Sequence, residues 1–430
     1  MQQSQSQQAT RRRELAYVSQ IGTTQLHLIN PWIIAWWSAA FPGAGYFLLS
    51  KYMRGFLLFG WETFVNLQAH INAAIYCSFI GEFDKAKLVI DKDWALLYVA
   101  TLIFAIWDSF RTAIDLNNVY TLAAREDAQI QSFTITALEI NYLDKRSPMD
   151  AVLWSMLAPG AGQLYTHRII TGGFILFLWI LNCYMSKVLP AIHDSFLGQF
   201  EQAKNILDVH WILNMPSIYI FAIYDAYVNT VENNKLYEWE QSKFFKRQYQ
   251  YEQFRMPLEN GKIRSEGMYL IATFEYNHFL ERAVTGIQMQ GVSKERILAA
   301  PLDKRGEERK LFDTLHASDG VSLIDFAAVL GTICMLLGTI YGFVLPWGPI
   351  WWGLIGLVGG FAIGLIIKLI ATKKYAKDRA KPEKAPEVVL IIECQEPELE
   401  MVRSVLWDCH ALGISKLDLA NNPSTVAVQE

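Results

Sequence analysis

Charge is scarce in this chain. Asp, Glu, Lys and Arg make up 19% of its 430 residues, against about 25% in a soluble domain. The deficit is concentrated in apolar stretches of near-membrane length. A net charge of −4 gives no bulk attraction for nucleic acid, and no such partner is expected. Cysteine is sparse as well. Cys77, Cys183, Cys334, Cys394 and Cys409 include no CxxC pair, so they read as small buried hydrophobes and not as a disulfide framework. No GxxxxGK[ST], HExxH, GxSxG or dinucleotide fingerprint is present, and the eight histidines are dispersed. Without those patterns no catalytic residue, no metal and no cofactor is assigned, and a non-enzymatic protein is expected. No apolar core directly follows Arg11-Arg12-Arg13, so a cleaved leader is not expected. The three arginines read as a cytoplasmic anchor.

What is present is an internal repeat at a constant offset of 117 residues. Pro31 matches Pro148, Trp37-Ser38 matches Trp154-Ser155, and Pro42 to Gly45 matches Pro159 to Gly162. Ser78 to Asp91 aligns with Ser195 to Asp208 at seven of fourteen positions. Trp94 matches Trp211, Asp108 matches Asp225, and Asn117 matches Asn234. Identity of this density without a gap implies duplication.

Each copy holds three apolar pieces; in the first they are Pro31 to Ser50, Gly55 to Ile80 and Trp94 to Phe110. A spanning helix needs about 20 apolar residues. The second piece meets that length and the third falls just short. The first is broken by Pro42-Gly43-Ala44-Gly45 into legs that suit a re-entrant hairpin. With that hairpin, Lys51, Arg54, Arg111, Arg125, Lys145 and Arg146 all share the side of Arg11 to Arg13, and the loop Gly81 to Asp93 faces outward. If all three pieces crossed, the copies would be inverted, as in many transporters. Those cations would then face out, against the positive-inside rule. Two parallel copies are favoured.

The rest of the chain reads as a small α/β domain. Met268 to Tyr276 is strand-like, Asn277 suits an N-cap, Gly291 closes the helix, and Glu295 to Leu302 returns as a strand. The same order recurs in Glu387 to Gln395, a helix with Pro397 in its first turn, and Ile414 to Ala420. Two βαβ halves make a ferredoxin-like sandwich. Between them lies a glycine-rich apolar stretch turned by Pro346, Gly348 and Pro349, read as two spans inserted at one hairpin. Lys368, Lys373, Lys374, Lys377 and Arg379 at its exit put the domain in the cytoplasm. Gly331, Gly338 and Gly342 on one helix, with Gly353, Gly356, Gly360 and Gly364 on the other, let helix backbones touch, either within the hairpin or between copies of the chain.

The expected fold class is therefore mainly α: a polytopic membrane protein with a duplicated helical unit and a split βαβ domain interrupted by a membrane hairpin. The segments are 1–30 (polar and basic), 31–120 (first copy), 121–147 (linker), 148–237 (second copy), 238–267 (charged amphipathic linker helix), 268–302 (first βαβ half), 321–371 (hairpin) and 387–421 (second half).

On Pro42 to Gly45, Lys51 to Arg54, Gly55 and Ile106-Trp107-Asp108, with Pro159 to Gly162, Tyr165 to Arg168, Gly172 and Ile223-Tyr224-Asp225 in the second copy, the repeat resembles the TM2 domain family. It departs from that family by a long loop before the closing run and by a looser basic-aromatic turn. The resemblance covers about half the chain and implies no reaction. The βαβ halves around a glycine-rich hairpin resemble bacterial stress-type membrane proteins with split ferredoxin-like domains.

Two sets of polar residues stand out. Glu62, Asn66 and His70 recur at four-residue spacing, one helical face, where an acid inside a membrane helix marks a proton or cation relay or a structural pair. Their counterparts are Trp179, Cys183 and Lys187, and Glu62 is expected to pair with Lys187. Asp108 and Asp225 are expected to pair with Arg54 and Arg168, pinning each hairpin. The function expected is a scaffold, sensory or assembly role at the cell membrane, with the N-terminus and α/β domain cytoplasmic. The expected partners are the bilayer and a second copy or another membrane protein. The alternative is a transporter or channel lined by Glu62 and its neighbours.

Overall fold

The computed structural model describes residues 12–250, 254, 258–259, 262–263, 268–302, 323–373 and 387–418. Arg11, the exit cations Lys374, Lys377 and Arg379, and the end of the second βαβ half lie outside them. The chain is mainly helical with a small sheet region. Contacts divide it into two units, one of residues 1–232 with 308–377 and one of 233–307 with 378–430.

The first unit opens with β1 (Ala16–Ser19) and β2 (Gly22–Gln25), then α1 (Pro31–Ala40), α2 (Ala44–Leu48), α3 (Tyr52–Ala69), α4 (Ile71–Phe79), α5 (Phe83–Val89) and α6 (Lys92–Glu126). After β3 (Phe133–Ile135) and β4 (Ile140–Tyr142) come α7 (Pro148–Leu157), α8 (Ala161–Tyr165), α9 (Ile169–Ser186), α10 (Val188–Phe196) and α11 (Phe200–Ile206). Each of α7 to α11 begins and ends 117 residues after its counterpart among α1 to α5. Where α6 runs on, the second copy breaks between α12 (Val209–Ile212) and α13 (Met215–Tyr249). Pro216 stands where the first copy has Val99, and its missing N–H and its ring cannot continue the helix from Ile212.

Local chemistry sets the first turn of each copy. The Asn30 side chain accepts from the Trp32 amide at 3.0 Å, and Ser147 Oγ accepts from the Asp150 amide at 3.2 Å, with Pro31 and Pro148 next in chain. The helices end at Phe41 and Ala158 in extended backbone, as residues before proline must. Gly43 and Gly160 then take φ of +105° and +103°. A Cβ at Gly43 would lie 2.7 Å from the Gly55 carbonyl, and one at Gly160 2.6 Å from that of Gly172. Only glycine fits a left-handed turn pressed against the next helix.

A hairpin of α15 (Leu323–Gly342) and α16 (Gly348–Lys373) completes this unit. Its glycines face the partner helix. A Cβ at Gly338 would meet the Trp352 carbonyl at 2.2 Å, one at Gly356 the Cys334 carbonyl at 2.1 Å, and one at Gly364 the Ala327 Cα at 2.6 Å. Gly342, Gly353 and Gly360 are as crowded, against Pro349, Thr339 and Cys334, while Gly331 keeps ordinary contact with Phe361. The packing choice left open by spacing alone thus falls within the hairpin.

Among the described residues four helices are long and apolar enough to cross a membrane: α6, α9, α15 and α16, or five if α11 and Val209–Tyr249, bent by 91°, count as one. α3 is not among them. The Gly55 to Ile80 piece read as one span breaks at His70, whose φ is +55°, and the 18 residues left in α3 include Glu62, Asn66 and Gln68. The polar N-terminal segment and the linker hold short strands that the sequence reading did not assign. β1 and β3 are tied by Thr134 Oγ1 donating to the Val18 carbonyl at 2.7 Å, and Asn141 Nδ2 donates to that of Ser19 at 2.7 Å. Arg13 forms an ion pair with Glu126. Strands of three and four residues are too short for alternation to be read.

The second unit holds β5 (Met268–Phe274), α14 (His278–Met289), β6 (Ile297–Pro301), β7 (Val388–Cys394), α17 (Leu399–Asp408) and β8 (Gly413–Asp418). Strand order is β8-β5-β7-β6 with every neighbour antiparallel. Leu270, Ala272 and Phe274 of β5 and Val388, Leu390 and Ile392 of β7 bury one face with α14 and α17. The stretch read as a surface linker helix is instead the end of α13. Its Phe245 and Tyr249 are in this core, and Gln241 Nε2 donates to the Asn277 carbonyl at 3.0 Å and Glu281 Oε1 at 2.8 Å. Aromatic residues spaced by four mark a helix face, but not what covers it.

Two outcomes follow. Gly356→Leu, measured on the full-length protein in detergent, destabilises by about 1–3 kcal/mol through overpacking, whereas Gly359→Leu, with nothing within 4 Å, stays near wild type. In the α/β unit, Glu398 Oε2 lies 2.5 Å from Arg296 Nη2 and accepts from the Gln395 amide at 2.8 Å. The Arg296 guanidinium, ahead of the amide, holds this carboxyl below the usual glutamate range. A lowered pKa gives stability that is full above the unfolded value of about 4.3 and fades as pH falls through the folded one. The destabilisation by Glu398→Gln, about 1 kcal/mol or less for this half-buried pair, is therefore largest at neutral pH. It shrinks in denaturant titrations taken progressively below about pH 4.

Candidate functional site

The helical unit carries a buried polar cluster where its two copies meet. Glu62 and Asn66 lie one turn apart on α3 and are 4% and 8% exposed. The helix then breaks at His70, and Asn72 on α4 comes within reach of Asn66. Asn66 Nδ2 donates to Glu62 Oε1 at 3.1 Å and to Asn72 Oδ1 at 3.4 Å. Asn72 Nδ2 in turn donates to the His210 carbonyl at 2.7 Å and to Asn214 Oδ1 at 2.9 Å, both from the second copy. The α12–α13 break brings His210 and Asn214 inward. Their counterparts, Asp93 and Leu97, sit in the uninterrupted α6. A cavity of about 10 Å³ lies among these side chains, room for one water.

Two members of the expected set are elsewhere. His70 is not on the helical face of Glu62 and Asn66. It occupies the left-handed break itself, is exposed, and lies 5.1 Å from the His210 ring. Lys187 does not pair with Glu62. It occupies the equivalent break in the second copy at φ +59°, is exposed, and stacks 4.6 Å over the Tyr184 ring. The spacing rule assumed one straight helix, and a non-glycine left-handed residue left no mark to warn against it.

The two Asp–Arg pairs are brought together. Arg54 Nη1 lies 3.2 Å from Asp108 Oδ2, and Arg168 Nη1 lies 2.5 Å from Asp225 Oδ2. Each acid also accepts from equivalent positions of the two copies: Tyr46 Oη to Asp108 at 2.6 Å and Gln163 Nε2 to Asp225 at 3.0 Å. The cations are not equivalent. Arg168 corresponds to Lys51, three residues before Arg54. Burial differs accordingly. Arg168 and Asp225 are 7% and 0% exposed, and Arg54 and Asp108 are 59% and 17%. Tyr46 and Gln163 were not singled out in the sequence; their place after the conserved glycine turn in both copies was the available signal. A further buried contact, Tyr224 Oη donating to Asp325 Oδ1 at 2.9 Å, joins α13 to the hairpin.

Among the described residues no group of three or more His, Cys, Asp or Glu is arranged to hold a metal ion. No family model, curated protein or solved structure matches this chain.

Asp225→Asn leaves the buried Arg168 charge uncompensated and costs about 3–5 kcal/mol. Asp108→Asn costs about 1 kcal/mol or less, because solvent reaches Arg54. Unfolding of the full-length variants in detergent, compared side by side, reads the difference; equal losses would sink the assignment.

Proposed function

We propose that the chain is a multi-pass membrane protein without catalytic chemistry, in which two TM2-like copies anchor a cytoplasmic ferredoxin-like domain for assembly or sensing. The observation that carries the reading is the sheet. Its order β8-β5-β7-β6, with β6 and β7 adjacent and antiparallel, is that of a split βαβ sandwich. Yet the connection between β6 and β7 contains the two most apolar of the four candidate spans among the described residues. An even number of crossings returns the second half to the side of the first.

The helical unit supports parallel copies. Tyr76 of the first copy packs on Phe343 at 5.2 Å, and Phe196 of the second on Trp351 at 5.4 Å, so equivalent turns of both copies meet the closed end of the hairpin. Inverted copies would present opposite ends. Exposed apolar side chains along α6 and α16, such as Leu96, Ile103, Val358 and Ile370, form a surface that lipid covers. The transport reading rests on Glu62 and its neighbours. A cavity of only about 10 Å³ there suits a bound ion or water better than a path for solute.

Single cysteines at Lys85, Lys204 and Met289 in a cysteine-free background test the arrangement. An impermeant maleimide is expected to label the first two in intact cells and the third only after permeabilisation. Opposite labelling of positions 85 and 204 would establish inverted copies. Ion flux in proteoliposomes that Glu62→Gln abolishes would replace the scaffold with a transporter.

A further inference from the structure

We infer that Glu62, with the amides of Asn66, Asn72 and Asn214 and the His210 carbonyl, forms a binding site for a small monovalent cation of about sodium size. The inference needs only the geometry of the helical unit and stands whether the protein is a scaffold or a transporter.

The starting point is a buried carboxylate with too few partners. An ionised glutamate offers about four acceptor positions. Glu62 receives one amide at 3.1 Å and the Thr63 hydroxyl at 3.5 Å. No lysine, arginine or histidine among the described residues forms an ion pair with it. A buried charge left in that state is expensive, so it is neutralised by a proton or by a cation.

The surroundings favour the cation. A proton needs no room, whereas a cavity the size of one water adjoins this carboxylate. Oxygen-bearing groups from α3, α4 and the α12–α13 break line it. Each amide contributes a carbonyl oxygen, and a rotation of the Asn66 amide exchanges its donor for an acceptor facing Glu62. One carboxylate among neutral oxygens matches a single positive charge. A divalent ion of the calcium type takes six to eight oxygens, usually from several carboxylates. The ionisable groups nearest the cluster are Tyr98 on α6, His70 at the α3–α4 break, and His210 and Asp208 at the start of α12. The second copy has Trp179, Cys183 and Leu189 at the positions of Glu62, Asn66 and Asn72, so the duplication does not repeat the site.

The site also bridges the two copies, with Glu62, Asn66 and Asn72 from the first and His210 and Asn214 from the second. An ion held there stabilises the assembled bundle by mass action.

Full-length protein in detergent is titrated with radioactive sodium, and its thermal midpoint is followed in sodium against choline chloride at equal ionic strength. Wild type is expected to bind sodium saturably and to melt higher in sodium. Gln68→Ala, on the exposed side of the same helix, keeps both properties. Glu62→Gln and Asn72→Leu each weaken binding by about tenfold or more. Asn72→Leu serves if the glutamine variant fails to fold, since leucine is the native residue at the equivalent position of the second copy. Absence of saturable binding to folded wild type, or binding unchanged in the folded variants, overturns the proposal. A midpoint that follows pH but ignores sodium does so too, and assigns Glu62 a proton.

Discussion

The contact between two glycines of the same copy underlies the helical unit. Gly43 turns the chain against the backbone of Gly55, and Gly160 does the same against Gly172. A side chain at either turn would push the broken segment off the following helix. With that contact in place, α2 and α8 end beside the starts of α3 and α9. The acid near the middle of the last helix then comes within reach of arginine. Both the direction of the reversal and the ion pairs therefore depend on a missing Cβ.

Around this common backbone the copies differ in polarity. The buried ion pair lies in the second copy and the buried carboxylate in the first. The copies share their turns, caps and element bounds, which backbone geometry dictates. They diverge in the side chains that meet at their interface. Pro216 is the clearest instance. It interrupts one copy's last helix, and the interruption supplies His210 and Asn214 to a cluster that the unbroken α6 has no means of providing in reverse.

Much of this was legible in the sequence for stated reasons. Glycine and proline announce turns, so the breaks at Pro42 and Pro159 could be read. Apolar strand-like runs on either side of a helix bounded by Asn277 and Gly291 announced a βαβ unit. The Asp108–Arg54 and Asp225–Arg168 contacts followed from an acid kept in both copies and an arginine after each broken segment. The break at His70 was not legible, because histidine in left-handed backbone has no compositional signature. Nor was the contact of Asn72, a neighbour of the Glu62 face, with His210 and Asn214, since it depends on two interruptions in helices far apart in chain. The short strands between Ala16 and Tyr142 were lost for another reason: three-residue pairing carries too little periodicity.

The strand pairing of the α/β unit constrains how the protein is made. Phe274 pairs with Val388 and Met268 with Cys394, so the central strand β5 waits for a partner synthesised only after both hairpin helices. Until the ribosome has delivered β7, the first half exposes an open edge that other chains could join. On the proposed membrane reading, insertion of the hairpin would hold that nascent edge in place and shorten the search for its partner. A sheet closed across so long an intervening segment thus makes the order of synthesis a constraint on its folding.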